Sequence, residues 1–227
     1  MNPAPTSLVL LDLDGTLMDA APGIVSSAAE AYRTLGLPVP DAATLRSFVG
    51  PPITDSFPRH GVPVERLTEM VRAYRTVFEA GGMFDNSVFD GVPDALARLR
   101  SAGCTLVVAT SKPVVYARPI CDHFGLTGLV DAVYGAPLDE RTSTKAMVIA
   151  DALAGLGLAR RSDDTRVVMV GDRAHDVQGA AENDIECIGV TWGYAADGEL
   201  AQAGAVALVD DLDALVAEVL GRVGVAA

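Results

Sequence analysis

The chain has few cysteines and no long apolar run. Its three cysteines, Cys104, Cys121 and Cys187, are odd in number, widely spaced and without a CxxC or histidine-linked arrangement. This predicts ordinary buried thiols rather than a disulfide framework or a zinc site. Although 50% of the residues are apolar, no run approaches the roughly 20 residues that cross a bilayer. No secretion signal precedes the first apolar stretch, so we expect a soluble, cytoplasmic protein without a membrane partner.

Positive charge is also scarce. The formal net charge is -13, and of the 17 basic residues only Lys112 and Lys145 are lysines. A nucleic-acid backbone requires clustered Lys and Arg, so this balance argues against a nucleic-acid partner. A length of 227 residues allows one domain, or one domain with a smaller insert, and leaves the choice between monomer and homodimer open.

The distribution of apolar residues predicts an α/β core and a helical insert. The short apolar run from Ser7 to Leu13 predicts a buried strand. The residues that follow it predict only helices, over 22–35, 54–59 and 63–79. From Val92 onward, helices alternate with strands. These further strands are predicted at 105–110, 131–134, 166–170 and 185–190. The alternation is typical of a Rossmann-like parallel sheet with helices on both faces. We expect residues 1–17 and 85–227 to form this core, and residues 18–84 to form a small helical cap domain.

The unusual polar residues fall where predicted strands end. Asp12-Leu13-Asp14-Gly15-Thr16 closes the first strand, Thr110-Ser111-Lys112 closes the second, and Gly171-Asp172-Arg173-Ala174-His175-Asp176 closes the strand that begins near position 166. Lys145 opens a helix between the last two motifs. In open α/β sheets, ligands bind outside the carboxyl ends of the strands. We therefore expect these residues to form one site.

Four aspartates in this set predict a divalent cation. If Asp12, Asp14, Asp172 and Asp176 converge, each close pair repels by about 4 kcal/mol at about 4 Å and an effective dielectric of roughly 20. A hard cation removes this repulsion, and oxygen ligands without His or Cys favour Mg²⁺ over Zn²⁺. The sequence therefore predicts Mg²⁺ as the cofactor.

The motif series DxDGT, strand-terminal Thr or Ser, lysine and GDxxxD resembles that of haloacid dehalogenase-like hydrolases. The resemblance covers essentially the whole chain, and the helical insert and Trp192-Gly193-Tyr194 are similar to the phosphoglycolate phosphatase-like branch. It implies that the metal ligands are the Asp12 carboxylate, the Asp14 backbone carbonyl and the Asp172 carboxylate. Asp176 would be a supporting or water-mediated ligand.

The same resemblance implies a phosphatase that works through an aspartyl-phosphate on Asp12. Asp14 would protonate the leaving alkoxide and then act as the general base for water. Side chains two apart share one face of an extended segment, which fits these paired roles. Thr110, Ser111 and Lys145 would bind the phosphate oxygens, although many relatives carry Asn where Ser111 stands.

The remaining polar residues are interpreted as follows. Lys112 is predicted to be a peripheral electrostatic contact or a surface residue. No spacing among His60, His123 and His175 suggests nucleophilic catalysis or a zinc site. Residues 46–52 fit either a plain turn between helices or a segment that faces the active site and shapes specificity.

The expected substrate is a small phosphorylated metabolite such as 2-phosphoglycolate, and a nucleoside 5'-monophosphate is the first alternative. A sugar-phosphate mutase and a catalytically silent phosphate-binding protein stay open, because both would use the same residues. Asp14 argues against a dehalogenase, and the lack of lysine in residues 18–84 argues against a phosphonatase. A phosphate-sensing receiver domain would need a different order of acids and about half this length.

Overall fold

The computed structural model describes residues 7–139, 143–158 and 165–224. The strands in these ranges are β1 (Ser7–Leu11), β2 (Met18–Asp19), β3 (Ser87–Val88), β4 (Thr105–Pro113), β5 (Ala132–Ala136), β6 (Arg166–Gly171), β7 (Glu186–Val190) and β8 (Ala207–Val209). Six of them form a sheet in the order β5-β4-β1-β6-β7-β8. Every neighbouring pair in this sheet is parallel. The predicted fold class, an α/β core with a parallel sheet, is confirmed.

Helices cover both faces of the sheet and fill the insert. They are α1 (Ala21–Thr34), α2 (Ala42–Arg46), α3 (Ile53–Arg59), α4 (Leu67–Glu79), α5 (Val92–Ser101), α6 (Val114–His123), α7 (Lys145–Gly155), α8 (Ala174–Ala181), α9 (Glu199–Ala203) and α10 (Leu212–Val223). α1 to α4 lie between β2 and β3, which pair as an antiparallel ribbon. The cap boundary at residues 18–84 stays a prediction.

The central strand β1 supplies side chains to both faces of the sheet. All five of its residues are buried, and successive side chains alternate between the faces. Val9 and Leu11 pack into the core that includes α5, α6 and α10. Leu8 and Leu10 pack into a second core with α7 and α8. A strand buried on both faces explains why β1 has a continuous apolar run rather than an alternating one.

Aromatic rings hold the insert together and join it to the core. Phe57 is fully buried and contacts Tyr32, Phe48 and Tyr74, with ring centroids 5.8, 5.3 and 6.2 Å away. Farther along α4, Phe78 meets a ring of the core helix α6 at a centroid distance of 5.4 Å. This continuous apolar contact fixes where the insert lies relative to the carboxyl ends of the strands.

Several short elements differ from the prediction. In the part of the chain that the structure describes, no strand lies between the helices predicted over 22–79, but the short elements β2, β3, α2, α9 and β8 were not predicted. Elements of two to five residues contain too few positions for a periodic pattern to emerge. β4 also continues beyond Thr110 to Pro113, with a shift in register between these two residues.

Two other expectations concern burial. All three cysteines are free and buried, as predicted. In the described ranges, no helix combines the length and apolar character that a membrane crossing requires.

Candidate active site

The three predicted strand-end motifs meet at one edge of the sheet. β4, β1 and β6 are adjacent, so Thr110, Asp12 and Asp172 come from neighbouring positions. The carboxylates of Asp12, Asp172 and Asp176 place one oxygen each within 4.8 Å of one another. All three are at most 2% exposed. The structure therefore brings together the acids that the sequence placed in two motifs far apart in the chain.

Lys145 lies between two of these carboxylates. Its Nζ is 2.6 Å from Asp12 Oδ1 and 2.7 Å from Asp176 Oδ1, and it donates a hydrogen bond of 3.0 Å to the Ala109 carbonyl. The Thr144 side chain caps α7 by accepting from the Met147 amide, which fixes the helix start that carries this lysine. Lys145 is thus held between the Asp12 and Asp176 carboxylates.

Burial and crowding of like charge shift the pKa values of these acids. Burial raises the pKa of Asp12 to about 6, against the opposing effect of Lys145. Burial, together with Asp176 and Asp12, raises the pKa of Asp172 well above its usual range. Burial alone would also raise the pKa of Asp176, but Lys145 holds it below its usual range. The cluster is therefore short of positive charge.

Backbone amides orient the two acids of the last motif. The Tyr194 amide donates to Asp172 Oδ2 at 2.7 Å, and the Arg173 amide donates to Asp176 Oδ2 at 3.0 Å. The second bond is half of a capping box, since Asp176 is the third residue of α8. In both carboxylates one oxygen thus accepts a hydrogen bond from a backbone amide, which fixes the orientation of the group.

Lys112 corrects a prediction. It was expected to be peripheral or on the surface, but it is 8% exposed and its Nζ lies 2.9 and 2.8 Å from the two carboxylate oxygens of Asp14. The Lys112 amide also donates to Thr110 Oγ1 at 3.2 Å. β4 carries this lysine past the predicted strand end at Thr110 and turns it inward. Each aspartate of the DxD motif therefore has its own lysine partner.

The charges of the site fit a divalent cation. Asp12, Asp14, Asp172 and Asp176 are all buried, as are the two lysines that pair with them. Four carboxylates against two ammonium groups leave two negative charges inside the protein. Because buried unpaired charge is costly, a dication bound by carboxylate oxygens balances this set. The donor chemistry therefore fits Mg²⁺ at Asp12, Asp172 and Asp176.

A small cavity borders Asp14. Its volume is about 50 Å³. Its walls come from the insert and from the core, and include Asp14, Phe48, Gly50, Pro51, Pro52, Tyr74, Arg75, Phe78, Ser111, Lys112 and Tyr116. Of the turn at 46–52, Phe48 and the two prolines thus face the site. Arg46 instead lies over the Tyr194 ring, 4.9 Å from its centroid.

The histidines take structural places. Burial lowers the pKa of His175 to about 4, so the imidazole is uncharged near neutral pH. His60 Nε2 is 2.9 Å from Ser47 Oγ, and the His123 ring contacts the Phe84 ring in a tilted arrangement, with centroids 4.4 Å apart. Neither contact resembles a nucleophile activated by a base.

Comparison with known proteins identifies the family. Residues 9–190 match the model of the haloacid dehalogenase-like hydrolases. The chain belongs to this family. Its enzymatic class is that of the family's phosphatases, as the motif series predicted.

The similar members of the family carry several different names. A 5'-nucleotidase of Pseudomonas aeruginosa is 42% identical over 193 residues, or 85% of this chain and 86% of the relative. The tyrosine-protein kinase PtkA of Mycobacterium tuberculosis is 45% identical over 187 residues, 82% of this chain but 62% of PtkA. A phosphoglycolate phosphatase of Cupriavidus necator is 34% identical over 225 residues, 93% of this chain and 92% of the relative.

A solved structure agrees in fold over nearly the whole chain. A predicted phosphatase from Clostridium acetobutylicum superimposes with a TM-score of 0.88 at 41% identity, covering 96% of this chain and 100% of that one. The Rossmann-like core of the haloacid dehalogenase-like hydrolases is thus the fold of this protein.

Three contributions to this hydrolase site were missed by sequence reasoning. Lys112 could have been found from the scarcity of lysine, since both lysines of the chain lie in the site. The Tyr194 amide has no sequence signal, because any residue except proline offers a backbone N–H. Arg173 reaches the insert by donating from Nη1 to the Val49 carbonyl at 2.7 Å.

Proposed function

We propose that this chain is a Mg²⁺-dependent phosphomonoesterase that passes the phosphoryl group through Asp12 to water. The main observation in support is that the two aspartates of the DxD motif lie in different environments. Asp12 contacts Lys145 inside the acidic cluster. Asp14 contacts Lys112 and lines the cavity described above, which we call the leaving-group cavity. Two carboxylates in different environments can perform different steps of one reaction.

In the first step, an oxygen of the Asp12 carboxylate attacks phosphorus and the ester P–O bond breaks. Lys145 steadies Asp12 and offers positive charge to a phosphoryl oxygen. Thr110 and the Ser111 amide, both in the second half of β4, are proposed to donate to the other oxygens. The product of this step is an aspartyl-phosphate and a free alkoxide that needs a proton.

Asp14 supplies that proton. It borders the cavity in which the departing group lies, so its carboxyl can reach the bridging oxygen. In the second step Asp14, now deprotonated, accepts a proton from water as the water attacks phosphorus. The acyl-phosphate bond breaks, and phosphate and the Asp12 carboxylate are released.

The cation would be held by the carboxylates of Asp12, Asp172 and Asp176, with the Asp14 carbonyl as a further ligand. Bound there, Mg²⁺ would neutralise charge on the phosphoryl oxygens. The fixed orientation of Asp172 and Asp176 by backbone donors prepares the ligands for it.

A small phosphorylated metabolite such as 2-phosphoglycolate is the proposed substrate. The cavity beside Asp14, about 50 Å³ in volume, offers room for roughly three or four water-sized groups. A nucleoside 5'-monophosphate is the second candidate, favoured by the 42% identity to a 5'-nucleotidase. A nucleoside is larger than this cavity and would extend out of it.

The test is phosphate release from a panel that contains 2-phosphoglycolate, nucleoside 5'-monophosphates, ATP and β-glucose 1-phosphate. Each is assayed with Mg²⁺ or EDTA, for the wild type and for Asp12→Asn, which keeps the shape of the side chain. We expect release that requires both the metal and Asp12, with 2-phosphoglycolate ahead of the nucleotides.

Other results would replace the proposal. Isomerised glucose phosphate without net release would indicate a mutase. Transfer from ATP to a protein tyrosine, without hydrolysis, would indicate the activity named for the mycobacterial relative. A folded protein that turns over no ester would indicate a silent phosphate-binding protein.

A further inference from the structure

We infer that Lys112 binds a carboxylate on the leaving group of the substrate, and that it thereby selects phosphomonoesters with a short, carboxylated leaving group. This inference rests on the proposed phosphatase function and refines it. It goes beyond that function because it identifies one side chain that distinguishes charged from uncharged leaving groups.

Lys112 lies between the proposed general acid and the aromatic wall of the cavity. Its side chain is 6% exposed, and its Nζ contacts both Asp14 oxygens at 2.9 and 2.8 Å. The same Nζ lies 5.3 Å from the centroid of the Phe78 ring. The ammonium therefore stands where the proposed general acid meets the aromatic wall of the leaving-group cavity. A group bonded to an ester oxygen that Asp14 protonates would lie beside this ammonium.

Lys112 has one N–H donor left for a substrate. An ammonium has three N–H donors, and the two Asp14 oxygens account for two of them. A carboxylate in the cavity can accept the third. Because the ammonium already lies at the cavity wall, it can pair with this anion without reorganisation of the site.

The surroundings make this contact selective. The side chains that close the cavity are mostly aromatic or proline, among them Phe48, Pro51, Tyr74 and Phe78. In such apolar surroundings an ion pair is stronger than in water, and an unpaired charge is costly. Arg75 is a second cation on the wall, and its Nη2 donates to the Leu138 carbonyl at 2.7 Å. Lys112 differs from it by contacting Asp14, the proposed proton donor to the ester oxygen.

The cavity accommodates a small anion. A cavity of about 50 Å³ has room for roughly three or four water-sized groups. The carboxymethyl part of a glycolate leaving group has four non-hydrogen atoms and matches this volume. A second phosphate group or a nucleoside is larger. The ligand class is thus an α-carboxylated alkoxide.

Two substrates isolate the carboxylate. 2-Phosphoglycolate and 2-hydroxyethyl phosphate have the same ester linkage and similar size, but only the first has a charged leaving group. For the wild type with Mg²⁺, we expect kcat/KM for 2-phosphoglycolate to exceed that for 2-hydroxyethyl phosphate by about tenfold or more, the range of a hydrogen bond to a charged group. A ratio near one in the wild type would overturn the inference without any variant.

Variants of Lys112 then test the assignment. Lys112→Met keeps the length of the side chain but removes the charge, and should bring the ratio close to one. Lys112→Arg keeps the charge and should retain part of the preference. If Lys112 only supported Asp14, Lys112→Met would slow both substrates equally and leave the ratio unchanged, which would overturn the inference. Circular dichroism establishes that each variant is folded.

The same assay separates this inference from the proposed function. Metal- and Asp12-dependent hydrolysis of both esters at equal rates would remove the role of Lys112 and leave the phosphatase intact. No hydrolysis of any ester in the panel would remove both.

Discussion

Gly15 shows how a single residue of the DxDGT motif is determined by its close approach to the Asp172 carboxylate. Its φ is +89°, and a Cβ at this position would lie 2.2 Å from Asp172 Oδ2. The first property favours glycine for any turn. The second is specific to this site, because the turn after Asp14 must pass against the carboxylate that the Tyr194 amide orients.

We predict that Gly15→Ala and Gly103→Ala differ in Mg²⁺-dependent activity, whereas the backbone strain caused by positive φ is similar in the two variants. Gly103 has a φ of +90°, and a Cβ added there would meet no atom within 4 Å, so it is the matched control. Each substitution should cost about 1–2 kcal/mol of unfolding free energy through positive φ. Only Gly15→Ala should displace Asp172, weakening Mg²⁺ affinity by about tenfold or more. Urea unfolding and Mg²⁺-dependent activity measure the two effects; equal Mg²⁺ half-saturation in both variants would contradict the prediction.

At the scale of elements, helix caps fix the segments around the sheet. Asp211 caps α10 by accepting from the Ala214 amide at 2.7 Å. The first turn of a helix has amides without intrahelical partners, so this carboxylate satisfies one of them. α10 in turn buries Val216 and Val219 in the core. The cap therefore stabilises a helix that covers β6, β7 and β8.

We predict that Asp211→Ala lowers the unfolding free energy by about 1 kcal/mol, the usual cost of a lost N-cap. Asp210→Ala is the control, because Asp210 is an exposed neighbour that precedes the cap. Urea titration of both variants measures the difference. Equal stability of the two variants would show that the capping bond contributes nothing.

Periodicity and motifs predicted the long elements and most of the site. The buried run of β1 and the strand-helix alternation after Val92 gave the parallel sheet, because both patterns extend over many positions. β8 and α2 were missed because three and five residues carry no period. The pairing of Lys112 with Asp14 was missed because the two are 98 positions apart. Such a contact depends on how β4 ends, which the local sequence does not encode.

The whole molecule gathers excess negative charge at one edge of its sheet. Four buried carboxylates and two buried lysines converge there, and burial raises the pKa values of Asp12 and Asp172. A cation that binds the folded protein and not the unfolded chain stabilises the fold by mass action. Metal binding and folding should therefore be coupled.

We predict that saturating Mg²⁺ raises the melting temperature by about 5–10 °C. A concentration of 100 times Kd contributes about 2.7 kcal/mol, and each kcal/mol corresponds to roughly 2–4 °C in a protein of this size. Asp172→Asn replaces one of the proposed carboxylate ligands with an uncharged amide and should abolish the shift in melting temperature. Thermal unfolding with Mg²⁺ or EDTA measures it. The same shift in Asp172→Asn would place the cation elsewhere.

The phosphoryl group can be trapped on Asp12 if the proposed intermediate forms. Substrate with labelled phosphate is mixed with enzyme and Mg²⁺, quenched in acid within the first turnovers, and the protein is digested and mapped by mass spectrometry. We expect label on the peptide that contains Asp12, released by hydroxylamine as an acyl-phosphate and lacking in Asp12→Asn. Hydrolysis by wild type without a labelled peptide, or label retained in Asp12→Asn, would rule out an aspartyl-phosphate on Asp12.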